Sequence, residues 1–87
     1  MYYVYLIVEK STQNRYIGIT SDLKQRLQKH NSGSGAKTTK SGEWQLVYYE
    51  AFLSKKDAYQ REYKLKQDGR SRRLLYQRVA NCLTGQK

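Results

Sequence analysis

The chain has 87 residues, enough for one small domain spanning 1–87. A chain this short buries only about 60% of its unfolded surface, so its core is modest. With 17 Lys and Arg against 7 Asp and Glu it carries a formal net charge of +10, and no apolar run reaches the roughly 18 residues of a membrane span.

The N-terminal "MYYVYLIVEK" lacks a basic leader and a small-residue cleavage site, so it does not read as a signal peptide. The single cysteine, Cys82, cannot form an internal disulfide, which fits a reducing, cytoplasmic setting. No acidic residue occurs from Arg70 to Lys87, a basic C-terminal helix and tail. Charge of this kind points to a polyanionic partner, nucleic acid first, with ribosomes and anionic membrane surfaces as alternatives. The bland reading is a solvated basic surface that keeps the protein in solution.

In chain order, "YYVYLIV" (2–8) is rich in aromatic and β-branched residues and predicts a strand. The polar "KSTQN" predicts a turn, and "RYIGIT" (15–20) a second strand paired with the first. Side chains alternate along a strand, so Val4, Leu6 and Val8 share one face, as do Ile17 and Ile19. Tyr3, Tyr5 and Ile7 fall on the other face with Tyr16, Gly18 and Thr20. A first helix is expected over about 22–31, capped by Asp22 or Ser21, with Leu23 and Leu27 toward the core. Arg26 and His30 are one turn apart and project together from a neighbouring face. "NSGSGAKTTKSGE" (31–43) is a loop by composition.

"WQLVYYEAF" (44–52) predicts a third strand. Ser54 caps a second helix that stops at Gly69, and Ser71 caps a third over 71–83, with Cys82 buried in its apolar stripe. The order β-β-α-β-α-α predicts an α+β fold: a three-stranded antiparallel sheet flanked by about three helices.

The second helix places a carboxylate where none is expected. At about 100° per residue, Ala58, Glu62 and Leu65 fall in one narrow stripe that should meet the sheet. A buried, ionised carboxylate needs a partner. Glu62 therefore either binds a metal or pairs with Arg61, Lys66 or Arg26. No second histidine or cysteine stands at ligand spacing, so a structural zinc site is not expected. "SGSG" lacks the Lys-Thr and the helix of a phosphate-binding loop.

The spacing "Tyr3-Val4-Tyr5", ten residues, "Tyr16-Ile17-Gly18" resembles the paired signature of the GIY-YIG nuclease superfamily. Arg26 and His30 in "IGITSDLKQRLQKHN" match that family's helix arginine and following His or Tyr, and Glu62 in "AYQREYKLK" matches its glutamate. Together with "YYEAF" and "LKQDGRSRR", these elements look like its small stand-alone bacterial branch, over nearly the whole chain to about Leu75. The first-motif glycine is replaced by Tyr3. Val4, Ile17 and Gly18 belong to the motif as structural residues.

The resemblance implies hydrolysis of nucleic-acid phosphodiesters with one divalent metal, Mg²⁺ or Mn²⁺. Glu62 would be its only protein carboxylate ligand, with waters and phosphate completing the shell. Arg26 would neutralise the charge of the phosphorane. Tyr5 or Tyr16 would activate or align the attacking water, Tyr5 being preferred as base; His30 would relay the proton or hold a phosphate. A free tyrosine, with a pKa of about 10, is only about 0.1% phenolate at pH 7, so such a base needs its pKa lowered. Lys37, Lys40, Arg61, Lys64, Arg70, Arg72 and Arg73 become candidate phosphate contacts. The expected partner is nucleic acid, DNA ahead of RNA, with a homodimer or a recruiting protein left open and no membrane. The alternative is a basic DNA- or RNA-binding module that keeps the fold without turnover.

Overall fold

The computed structural model describes residues 1–32 and 43–84. Three strands, β1 (Tyr2–Glu9), β2 (Arg15–Thr20) and β3 (Trp44–Phe52), form one antiparallel sheet in the order β2-β1-β3. The helices are α1 (Leu23–Asn31), α2 (Lys55–Gln67), α3 (Gly69–Arg78) and the single-turn α4 (Ala80–Leu83). The α+β class and the element order match the sequence reading. No helix among the described residues is long and apolar enough to cross a membrane.

β1 is the middle strand, and both of its faces are covered. On one face Val4 and Leu6 pack with Ile17, Ala58, Leu65, Leu75 and Val79, beneath α2 and α3. On the other, Tyr5, Ile7 and Trp44 pack with Tyr16, Leu23, Leu27 and Leu46, beneath α1. The tyrosine-bearing face is therefore a second small core. The unbroken apolar run in β1 is its signature, because a strand buried on both sides does not alternate.

Local chemistry sets the joints. Where β1 pairs with β3 the register slips between Leu6 and Ile7. The partners jump from Tyr48 to Leu46, so Val47 and Tyr48 both pack against the first cluster while Leu46 joins the second. Asp22 caps α1 by accepting from Gln25 N at 3.0 Å, and Ser54 caps α2 by accepting from Asp57 N at 3.3 Å. At the far end of α1, Asn31 accepts from Trp44 N at 2.6 Å and donates to Trp44 O at 3.2 Å. That pair fixes α1 to the start of β3.

Three details differ from the sequence reading. α2 ends at Gln67, before Gly69, because Asp68 is already extended (φ −112°, ψ 106°). Asp68 rather than Ser71 caps α3: its carboxylate accepts from Arg70 N at 3.1 Å and from Ser71 Oγ at 2.8 Å. Gly69 thus opens α3 instead of closing α2. The expected third helix is broken at Val79 (φ −111°, ψ 26°), and Cys82, on the short α4 beyond it, is exposed rather than buried.

Candidate functional site

The site begins with a cross-strand pair. Tyr5 and Gly18 are direct partners in the β1–β2 ladder. With no side chain at Gly18, the Tyr5 ring lies over that position. A Cβ there would stand 2.6 Å from Tyr5 Cζ, closer still to its hydroxyl, and 3.0 Å from Tyr16 Cε2. The tyrosine is thereby aimed toward β2, an edge strand of the sheet.

The Tyr5 hydroxyl meets His30 Nε2 at 2.9 Å, and both residues are buried. Burial pushes the Tyr5 phenol well above its ordinary range; Tyr16 and Glu62 push the same way, and Arg26 opposes them. Burial, aided by Arg26, pushes the His30 imidazole below its ordinary value. Between a protonated phenol and a neutral imidazole either group can donate, according to which ring nitrogen of His30 carries the proton. The sequence reading asked a catalytic tyrosine for a lowered pKa. Desolvation does the reverse at Tyr5 and keeps the phenol protonated beside His30.

Tyr16 closes the ring cluster, with its centroid 6.3 Å from Tyr5 and 5.1 Å from His30. Lys66 Nζ lies 5.6 Å from the Tyr16 ring centre and 3.3 Å from Glu62 Oε2. Glu62 is only 16% exposed at its side chain, as the stripe on α2 predicts. Of its three candidate partners it takes Lys66, one turn along. β1, β2, α1 and α2 therefore bring Tyr16, Arg26, His30 and Glu62 into the surroundings of Tyr5. Lys66 stands with them, and the Glu62–Lys66 spacing of four residues was the signal for its place.

Arg26 also lines a recess of about 270 Å³ shared with Thr20, Ser21, Lys55 and Tyr59. Among the described residues no group of three His, Cys, Asp or Glu side chains could hold a metal. The donor set present is one half-buried carboxylate facing a lysine and an arginine-lined recess. This fits a hard cation held by a single carboxylate, water and a substrate phosphate, and does not fit a two-metal carboxylate cluster.

The remaining predicted residues divide. Val4 and Ile17 are core. Lys64, Arg70 and Arg73 are exposed. Arg61 forks onto Glu50, with Nε donating to Oε1 at 2.9 Å and Nη2 to Oε2 at 2.8 Å. Burial pushes the Glu50 carboxyl up, but the bonds from Arg61 and Tyr48 outweigh it and hold it below the ordinary value. Arg72 Nη1 donates to the carbonyls of Leu65 at 3.1 Å and Lys66 at 2.6 Å, closing the end of α2. Arg61 and Arg72 are half-buried, and their guanidinium groups bond to a carboxylate and to backbone carbonyls. Lys37 and Lys40 lie outside the described residues.

The β-β-α-β-α arrangement and the tyrosine, arginine and glutamate set it carries can be compared with known proteins. The family model of the GIY-YIG catalytic domain matches residues 1–76, and the chain belongs to that family. It is similar to a UPF0213 protein of Pediococcus acidilactici, 46% identical over 67 residues, covering 74% of this chain and 68% of that one. A UPF0213 protein of Oceanobacillus iheyensis is 42% identical over 67 residues, covering 76% of this chain and 77% of that one. The solution structure of a UPF0213 protein from Bacillus halodurans superposes with a TM-score of 0.55 at 38% identity, covering 88% of this chain and 84% of that chain.

Proposed function

We propose that this protein is a divalent-metal-dependent endonuclease that hydrolyses nucleic-acid phosphodiesters, DNA ahead of RNA. The observation that carries the proposal is the Tyr5–His30 hydrogen bond with Arg26 and Glu62 within electrostatic reach of Tyr5. Glu62 would hold the cation, Mg²⁺ or Mn²⁺, displacing the Lys66 ammonium from its carboxylate. When bound, the cation supplies Lewis-acid polarisation of the scissile phosphate and charge for the departing oxygen. Arg26 binds the same phosphate and offsets the negative charge that grows on it in the transition state. Tyr16 aligns the attacking water. As the water adds to phosphorus, its proton passes to Tyr5 Oη while the phenolic proton passes to His30 Nε2, so no free phenolate accumulates.

The test is cleavage of plasmid, single-stranded DNA and RNA with Mg²⁺, with Mn²⁺ and with EDTA. Glu62→Ala should abolish metal-dependent cleavage, and Arg26→Ala should slow it by roughly 100- to 1000-fold, the scale of removing one transition-state charge partner. Cleavage that survives both substitutions overturns the assignment of the site. Salt-sensitive binding without products under any metal would instead mark a binding module.

A further inference from the structure

Two tyrosines of α2 have no place in that mechanism. Tyr59 is 49% exposed and Tyr63 67% exposed, one turn apart on the same side of the helix. Large aromatic rings left in water as neighbours mark a contact surface rather than packing. The other strongly exposed tyrosine, Tyr49, makes an edge-to-face contact with Tyr3, their ring centres 5.8 Å apart. Tyr59, Gln60, Glu62 and Tyr63 line one shallow, open concavity of about 440 Å³ on α2, so the proposed metal ligand borders it. Tyr59 also forms a wall of the recess that holds Arg26 and Lys55. It therefore borders both the recess of the residue proposed to grip the phosphate and the concavity of the residue proposed to hold the cation. Lys55 Nζ lies 5.7 Å from the Tyr59 ring centre, placing a cation beside the aromatic face.

We propose that Tyr59 and Tyr63 are a base-stacking platform, and that the occupant of this concavity is an unpaired nucleic-acid strand. This rests on the nuclease reading and supplies its substrate class. Aromatic rings interleaved with basic side chains are the physical basis of single-strand binding, because the rings stack on bases and the cations follow the phosphates. The platform selects against a duplex, whose bases already stack on one another and present only their edges. The phosphate beside a base stacked on Tyr59 or Tyr63 is the one delivered to Arg26 and Glu62. The chain's net charge of +10 complements a strand and does not favour a second copy of itself.

The test is fluorescence anisotropy of a short labelled strand, free or annealed to its complement, titrated in EDTA with the full-length wild-type chain and with Tyr59→Ala, Tyr63→Ala, Tyr59→Phe and Tyr63→Phe. Thermal melts check that each variant folds, which their exposure favours. The wild type should bind the free strand more tightly than the duplex. Each alanine variant should lose roughly 5- to 150-fold for the free strand, with duplex binding unchanged and the phenylalanine variants close to wild type. Equal affinity for both forms, or alanine variants that bind the free strand like the wild type, overturns the platform. So does a change in oligomeric state by light scattering with strand binding intact, which would make the patch a copy-to-copy interface. Mg²⁺-dependent duplex cleavage that is indifferent to both tyrosines would sink the platform and leave the nuclease standing. Tyrosine-dependent strand binding without cleavage under any metal would do the opposite.

Discussion

Gly18 shows how one missing side chain organises the site. Its oddness is legible in the sequence, since a glycine inside a strand gives up packing and marks a close approach. What approaches is legible only from the register, which sets Tyr5 directly opposite. The space is filled by that ring rather than left open for a phosphate or metal. Gly18→Val should therefore evict Tyr5 and break its bond to His30, at a cost of about 1–3 kcal/mol from overpacking. A lower melting temperature together with a loss of cleavage larger than the unfolded fraction explains is the expected outcome. A variant that cleaves like the wild type would limit the glycine to a structural role. Glu62 was legible in the same partial way: helical periodicity placed it beside the buried stripe but could not choose Lys66 over Arg26 or Arg61. That choice depends on how α2 lies across the sheet, which one element's sequence does not encode.

Among the elements, the β1–β2 hairpin carries a device that pattern reading missed. Glu9, buried at the end of β1, accepts from the backbone and hydroxyl of both Ser11 and Thr12 at 2.7–3.0 Å, and from Glu43 N at 3.2 Å. It thereby shapes a loop in which Gln13 takes a left-handed conformation (φ 63°) and ties that loop to the start of β3. The hydroxyl of Ser11 is the largest of the bonds that lower its pKa, followed by those from Thr12, and they bring it from 4.5 to about 2. A depressed carboxyl stabilises the fold above its unfolded pKa, and that contribution fades as pH falls from 4.5 toward 2. Glu9→Gln should melt below the wild type at neutral pH, and the gap should close across that acid window in circular-dichroism melts. A gap independent of pH would assign the loss to shape rather than to charge. The sequence suggested a turn at 10–14, but a carboxylate at the end of an apolar strand reads as an exposed charge until the loop is seen folded over it. Asp68 is a similar case: both it and Ser71 are good caps, and only the extended backbone at Asp68 decides between them.

At the scale of the whole molecule, the site draws on both layers of the fold. Tyr5, Tyr16, Arg26 and His30 belong to the cluster beneath α1 or its border, while Glu62 arrives from α2, which covers the other face of the sheet. The order of elements was legible because each strand and helix carries its own period and caps. The two-sided sheet was harder to read, because the second face is lined by tyrosines that could equally have faced water. β1 hydrogen-bonds to a neighbour along each of its edges and is covered above and below. Its central amides, Tyr5 to Ile7, should therefore be the slowest in the molecule to exchange with deuterium, opening only with global unfolding, and those of α4 among the fastest. Amide exchange followed by NMR checks this; a β1 that exchanges as early as α4 would refute it. The Tyr5 hydroxyl is anchored on the strand expected to open last, whereas Glu62 rides on a helix seated by Ala58 and Leu65. A transient lifting of α2 would disarm the site while leaving the tyrosine, the histidine and the strand that holds them in register, ready for the helix to settle again.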